Sequence, residues 1–181
     1  MPNPRPFIHW NRVITKQEDN YLAWPTIAKA DNGELLVVFS GDRETHVCPY
    51  GKNQMIRSSD RGETWTDAET INNSPLDDRD TGIVVTRSGT IVITWFTGIS
   101  YSDADTYKDL YPKDYKSWIR HWNKISNEDK KQFHGYWSRR SVDQGITWDQ
   151  QVDTIVTAPH GPIQLRNGTL IMVGSKNEFD G

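Results

Sequence analysis

SSDRGETW (58–65) and SVDQGITW (141–148) are the two stretches that decide how this chain folds. Both read S-x-D-x-G-x-T-W without mismatch. The first supplies Ser58, Asp60, Gly62, Thr64 and Trp65, and the second Ser141, Asp143, Gly145, Thr147 and Trp148. The two aspartates lie 83 positions apart. The residue types describe a turn. An Asp carboxylate accepts hydrogen bonds from nearby backbone N–H groups, and Gly takes the left-handed conformation that a Cβ disfavours. The Trp is expected to pin the turn to its sheet. Each copy follows a strand-like run, so the motif is a repeated structural staple rather than a catalytic site.

A second repeat surrounds the first. TIAKADNGELLVVFSG (26–41), IVVTRSGTIVITWFTG (83–98) and PIQLRNGTLIMVGSK (162–176) each pair a short apolar strand with a turn and a strongly apolar strand. Asn32-Gly33, Ser88-Gly89 and Asn167-Gly168 mark the turns, as hairpins favour. NQMIRSS (53–59) and GYWSRRS (135–141) supply a third strand before each S-x-D-x-G-x-T-W turn, and AETI (68–71) and QVDTIV (151–156) a fourth after it. Hairpin, third strand, turn and fourth strand make one four-stranded propeller blade. The reading is therefore all-β, with blade-like units at about 22–72, 81–157 and, incomplete, 160–181.

The steps between the turn glycines are unequal, 56 residues from Gly33 to Gly89 and 79 from Gly89 to Gly168. The excess lies in residues 101–134. There Tyr115, Trp118, Ile119, Trp122 and Ile125 fall at helical spacing among charges, which predicts an inserted amphipathic helix. Two roles stay open for it, a cap packed on the blade or a lid touching substrate. Propellers close with ~4–8 blades, so the expectation is about two and a half blades of a longer six- or seven-bladed protein. The remaining blades, or self-association, would complete the ring.

Composition narrows the classes. The 181 residues carry 21 basic and 24 acidic side chains, a net charge of −3, and no basic stripe that would suit nucleic acid. No apolar run nears the ~20 residues that cross a membrane. MPNPRPFIHWNRV at the start lacks the apolar stretch of a signal peptide, so the chain as given reads as cytoplasmic, with export of a longer parent left open. The single cysteine, Cys48, rules out a disulfide within the chain. Eight tryptophans and seven tyrosines serve either blade packing or stacking against sugar C–H faces. No ligand spacing indicates a metal, and no cofactor is implied.

The repeated S-x-D-x-G-x-T-W pattern is the one called the Asp-box, and residues 20–176 resemble the sialidase-like β-propellers that carry it. The resemblance implies a carbohydrate partner and departs from the sialidase pattern at two checkable places. An Arg in an F/Y-R-I-P stretch grips the sialic acid carboxylate in that family, and here Leu22-Ala23-Trp24-Pro25 puts Ala23 at its position. The family's acid/base Asp in a D-x-G stretch is matched here by Pro49-Tyr50-Gly51. Its Tyr nucleophile and Glu partner come from later blades.

Blade topology sends four segments to one face: Trp24-Pro25, 41–52, 74–82 and 158–162. Arg43, Lys52 and Arg79 suit a sugar carboxylate, with Trp24 beside them as a stacking surface. His46, Asp80 and His160 are the candidate acid/base groups. Within the resemblance, some sialidase-like propellers cleave rhamnose–glucuronate linkages, as lyases or hydrolases, with a catalytic His. The expectation is thus a glycan-active enzyme, an exo-acting hydrolase or lyase on an acidic sugar. A carbohydrate-binding propeller, with Trp118 and Trp122 stacking on sugar, and a purely structural propeller stay open beside it.

Overall fold

The structure is a computed structural model and describes residues 11–157 and 159–176. Two four-stranded antiparallel sheets account for most of it. The first runs in chain order through β1 (Tyr21–Lys29), β2 (Leu35–Arg43), β3 (Lys52–Ser58) and β4 (Glu69–Asn72). The second repeats the order with β5 (Asp77–Val85), β6 (Ile91–Gly98), β7 (Gly135–Ser141) and β8 (Val152–Asp153). A two-stranded piece follows, β9 (Ile163–Gln164) with β10 (Leu170–Ile171), and a bridge joins Thr157 to Ser175.

The second sheet starts at Asp77 rather than near residue 81, because Asp77–Arg79 already pair with Phe96–Gly98. The stretch read as a loop, 74–82, is therefore largely strand. The third hairpin is shorter than its apolar sequence suggests. Only two residue pairs form, and Ile163, Leu170, Ile171 and Val173 are exposed.

Alternation explains the packing. Side chains along a strand point to opposite faces in turn. Leu36 and Val38 of β2, with Met55 and Ile71, face Ile83, Ile91, Ile93 and Trp95 of the second sheet. Val37 and Phe39 face the other way, onto Ile56 and Trp65. Both faces of β2 are covered, which is why its sequence is a continuous apolar run instead of an alternating one.

Both S-x-D-x-G-x-T-W turns form the same network. Asp60 accepts from the Thr64 backbone N–H (2.9 Å) and the Thr64 hydroxyl (2.6 Å), and Ser58 donates to it (2.8 Å). The Gly62 N–H donates to the Ser58 hydroxyl (2.7 Å). Asp143 accepts in the same way from Thr147 and Ser141, with Gly145 N–H on the Ser141 hydroxyl. Gly62 and Gly145 take φ of 88° and 86°, which is why glycine stands there. Trp65 packs on the outer face of the first sheet and Trp148 on the core between the sheets. These hydrogen bonds favour the ionised carboxylate and lower both aspartates to about 2.

The insertion is not one helix. A 3-10 turn (Ser100–Ser102) leads to α1 (Ala104–Leu110), α2 (Tyr115–Trp122) and α3 (Asn127–Phe133). Pro112, which has no N–H to donate, sits in the break after α1. Ser126 starts a new helix by accepting from the Asp129 N–H (2.9 Å). Ile125 lies outside α2 but still packs on the same cluster. Among the described residues, no helix is long and apolar enough to cross a membrane.

The depressed aspartates predict an acid-side signature. Their contribution is complete above the usual carboxylate value of 3.8 and is lost as pH falls through about 2. Asp60→Asn and Asp143→Asn are each expected to lower Tm near neutral pH. The gap to the parent chain should close as the pH of thermal melts drops from about 4 to about 2.

Candidate functional site

A buried ion pair organises the ground beneath the candidate site. Arg43, at the end of β2, has no exposure, and its Nη1 lies 2.7 Å from Asp77 Oδ1 at the start of β5. The guanidinium also donates to three carbonyls, those of Thr45 (3.3 Å), His46 (2.8 Å) and Asp78 (3.2 Å). A planar fork with five donors suits this task, whereas Lys would not. Burial raises the Asp77 carboxyl, and the neighbouring Arg43 pulls it back down. Gly51 is required here because a Cβ would run into Arg43 Nη1 and come within 2.8 Å of Asp77 Oδ1. Arg43 was expected to bind substrate. Full burial corrects that expectation, since its donors face protein carbonyls and no surface is left for a ligand.

Asp78 is similarly structural. It accepts from Asn72 (3.0 Å), the Ser74 N–H (2.6 Å), the Ser74 hydroxyl (2.9 Å) and Thr97 (2.7 Å). Burial outweighs these bonds and pushes it up to about 6. Its position ties the link after β4 to the edge of β5–β6.

Above this base the structure brings Trp24, His46 and Arg79 together. Arg79 is only 11 % exposed. Its guanidinium lies 4.7 Å from the Trp24 ring centroid and 5.4 Å from that of Phe96. Nη1 is 3.9 Å from Asp77 Oδ2, and Nη2 is 3.2 Å from His46 Nε2. Trp24 meets the His46 ring edge-on at 5.0 Å, and Tyr21 meets it at 6.5 Å. Partial desolvation, then the charges of Arg79 and Arg43, push His46 below the usual imidazole value, while Asp80 opposes them.

Asp80 and Trp24 occupy the same place in consecutive sheets. They lie 56 residues apart, both at φ of 54°, where β1 and β5 slip register against β2 and β6. The Asp80 N–H donates to the Ser40 hydroxyl (3.0 Å). Its Oδ1 is buried without a hydrogen-bond partner among the described residues. Burial raises the carboxyl against the pull of Arg79, Arg43, His160 and His46. His160 also has positive φ (69°) and is exposed, and it shares a 2.9 Å hydrogen bond with the Thr26 hydroxyl. Its backbone carbon abuts Gly82, where a Cβ would overlap it at 2.6 Å.

Lys52, also expected to bind substrate, is engaged by a carboxylate of its own sheet. It pairs with Asp42 at 2.7 Å, and the Asp42 N–H donates to Gln17. Tyr21, Thr26, Ser40 and Phe96 were missed in the sequence. The 56-residue period aligning Trp24 with Asp80 was the available signal for the strand positions. Among the described residues, no three His, Cys, Asp or Glu side chains gather as a metal site.

The insertion is packed against the loop that carries His46. Val47, Leu76, Tyr101, Tyr115 and Trp118 form one cluster, and Trp118 Nε1 donates to Glu44 (2.6 Å). His121 donates from Nε2 to the Pro75 carbonyl (2.7 Å). Trp118 has no exposure, so it is not available to stack on sugar, contrary to the binding-module expectation. Trp122 is half-buried, with Tyr101 at its edge and Lys130 Nζ 3.9 Å from its ring centroid. A concavity of about 910 Å³ lies over α1 and α2, lined by Lys108, Tyr115, Ile119 and Arg120, away from the cluster of Arg79 and His46.

No protein-family model and no curated protein sequence matches the chain. Solved structures do. A protein of unknown function from Dyadobacter fermentans DSM 18053 superposes with a TM-score of 0.57 at 21% identity, over 86% of this chain and 47% of that one. The Hadza microbial sialidase Hz136 superposes with a TM-score of 0.55 at 19% identity, over 82% of this chain and 31% of that one. At such identities the likeness shows a shared, mostly β, sialidase-like fold and nothing about chemistry. The chain spans less than half the length of either structure.

Two substitutions test the base of the site. Arg43→Met leaves Asp77 buried without its partner and is expected to cost about 3–5 kcal/mol in urea unfolding. Trp118→Ala removes a fully buried ring and is expected to cost about 3–5 kcal/mol. Because the ring holds Glu44, Trp118→Ala should also move the NMR resonances of His46.

Proposed function

We propose that this chain contributes part of a glycan-binding and glycan-cleaving surface for an acidic sugar, in a propeller completed by further blades. The observation that carries the reading is the group formed by Trp24, His46, Arg79 and Asp80. An aromatic ring, an imidazole, a guanidinium and a carboxyl with a free buried oxygen meet on one face. Arg79 supplies the positive charge that a sugar carboxylate needs, Trp24 offers an apolar ring face, and His46 is a base held neutral at physiological pH.

The chemistry follows from those roles. In a uronate lyase, charge neutralisation at the carboxylate acidifies the C5–H of the sugar. A neutral imidazole then takes that proton, the C4–O bond breaks to leave a 4,5-unsaturated sugar, and the departing oxygen takes a proton back from the imidazolium. In a hydrolase, Asp80 suits the acid role, because its burial favours the protonated carboxyl that must donate to the leaving oxygen. His160, beside Asp80, is the second imidazole within reach of the same face.

Sialic acid is the less favoured substrate. Ala23 and the buried Pro49 stand where the resemblance places an Arg and an Asp, and neither bears a charge or a proton to transfer. A binding role without catalysis is the second reading. It is favoured by the exposure of His46 and His160, which leaves the group on an open surface within this chain.

The test is a screen for sugar release from glycans with a terminal or a 4-O-substituted uronate and from sialylated glycans, in this chain and in the longest reading frame that contains it. Cleavage at the uronate, lowered at least about a hundredfold by His46→Ala, is the expected result. Release of sialic acid would overturn the preference drawn from Ala23 and Pro49. Glycan binding without cleavage, retained in His46→Ala and lost in Arg79→Met, would establish the second reading.

A further inference from the structure

Arg79 and His46 share one short contact whose direction is fixed by chemistry. A guanidinium carries only donors. In the 3.2 Å contact between Arg79 Nη2 and His46 Nε2, the imidazole nitrogen must therefore be the acceptor. His46 Nε2 then holds a lone pair and the ring proton sits on Nδ1, in the neutral form.

The rest of the guanidinium is committed inward. Nε is buried with no hydrogen-bond partner among the described residues, Nη1 lies 3.9 Å from Asp77 Oδ2, and the guanidinium carbon lies 4.7 Å and 5.4 Å from the Trp24 and Phe96 ring centroids. Only 11 % of the side chain is exposed, and His46, which Nη2 contacts, is itself an exposed residue. Nη2 is therefore the donor whose partner lies at the surface, and an anion that displaces His46 can take it.

We propose that Arg79 is a positioning residue that masks the Nε2 lone pair of His46 in the free protein, and that a ligand carboxylate unmasks it by taking the guanidinium's Nη2 donor. The inference rests on the acidic-sugar reading for its ligand, but the mask itself is a property of the unliganded chain. The arrangement makes the base available only when the correct charge is bound. A neutral sugar has nothing with which to displace the contact. Among the described residues, the charges of Arg79 and Arg43 disfavour a proton on His46, whereas that of Asp80 favours one. Tyr21 and Trp24 touch the ring only through edge-on aromatic contact.

Long-range proton–nitrogen NMR of histidine-labelled chain reads the tautomer directly, with His46 assigned by the signal lost in His46→Asn. At mildly alkaline pH, His46 is expected as the Nδ1–H tautomer. In Arg79→Met, which keeps the side chain's bulk between the rings but has no donor, the ratio should shift about tenfold or more towards Nε2–H. Its titration midpoint should also rise. Free glucuronate should shift the Nε2 resonance of the parent chain and raise the midpoint, whereas glucose should do neither.

Nε2–H in the unliganded parent chain would overturn the proposal without need of any variant, and so would an unchanged tautomer in folded Arg79→Met. A masked His46 that ignores glucuronate would overturn the unmasking. A glucuronate response from an Nε2–H ring would overturn the mask while leaving the acidic-sugar reading standing.

Discussion

Arg43 is the constraint on which the rest of the site depends. A guanidinium without access to water must have every donor direction matched by protein, and this one binds a carboxylate and three carbonyls. Those partners belong to the start of β5 and to the loop after β2. The two sheets are thereby joined at one end by a polar knot, while aliphatic side chains join them along their length. Gly51 completes the knot by leaving the space that the ion pair occupies. The knot has a direct structural consequence. Because Arg43 holds the carbonyl of His46, the loop carrying the imidazole is fixed from below. The insertion fixes it from outside through Glu44, Val47 and Trp118. A surface histidine is thereby held from two sides, as its proposed acid/base role would require.

The same backbone device is used twice with different chemistry. Trp24 and Asp80 share a left-handed conformation at the register slip of the first strand in each sheet. Non-glycine residues seldom adopt that conformation, and such strain concentrates where side chains are aimed for function. One unit presents a ring and the next a carboxyl. Arg79 adds the third element, lying 56 residues after Ala23 in the same register. The position that carries no charge in the first sheet carries the guanidinium in the second. The repeat thus supplies equivalent positions, and the side chain at each decides its chemistry.

Much of the fold was legible before any coordinates. The turns at 58–65 and 141–148 declare themselves because each residue has one local job, and all the hydrogen bonds involved span four residues or fewer. Strand order within each sheet follows from the hairpin signals for the same reason. The short helices were less legible. A 3.6-residue apolar period marked Tyr115, Trp118, Ile119 and Trp122, but the breaks at Pro112 and Ser126 were hidden by the continuing pattern of Ile125.

Local chemistry, then, was determined by the sequence alone: two aspartate-centred turns, four-stranded antiparallel sheets and a short list of charged and aromatic residues on one set of connections. Only the tertiary structure decided which of those residues are sealed inside and which gather at the candidate site. Arg43 and Arg79 look alike as letters in charged stretches. One is sealed beneath carbonyls contributed by β5 and the loop after β2, and the other sits between Trp24 and Phe96 with one edge at His46. Trp118 likewise reads as a candidate sugar platform until the insertion folds it against Glu44 and Leu76. Burial is set by partners distant in the chain, 35 residues away for Arg43 and 74 for Trp118, and no local pattern encodes that distance.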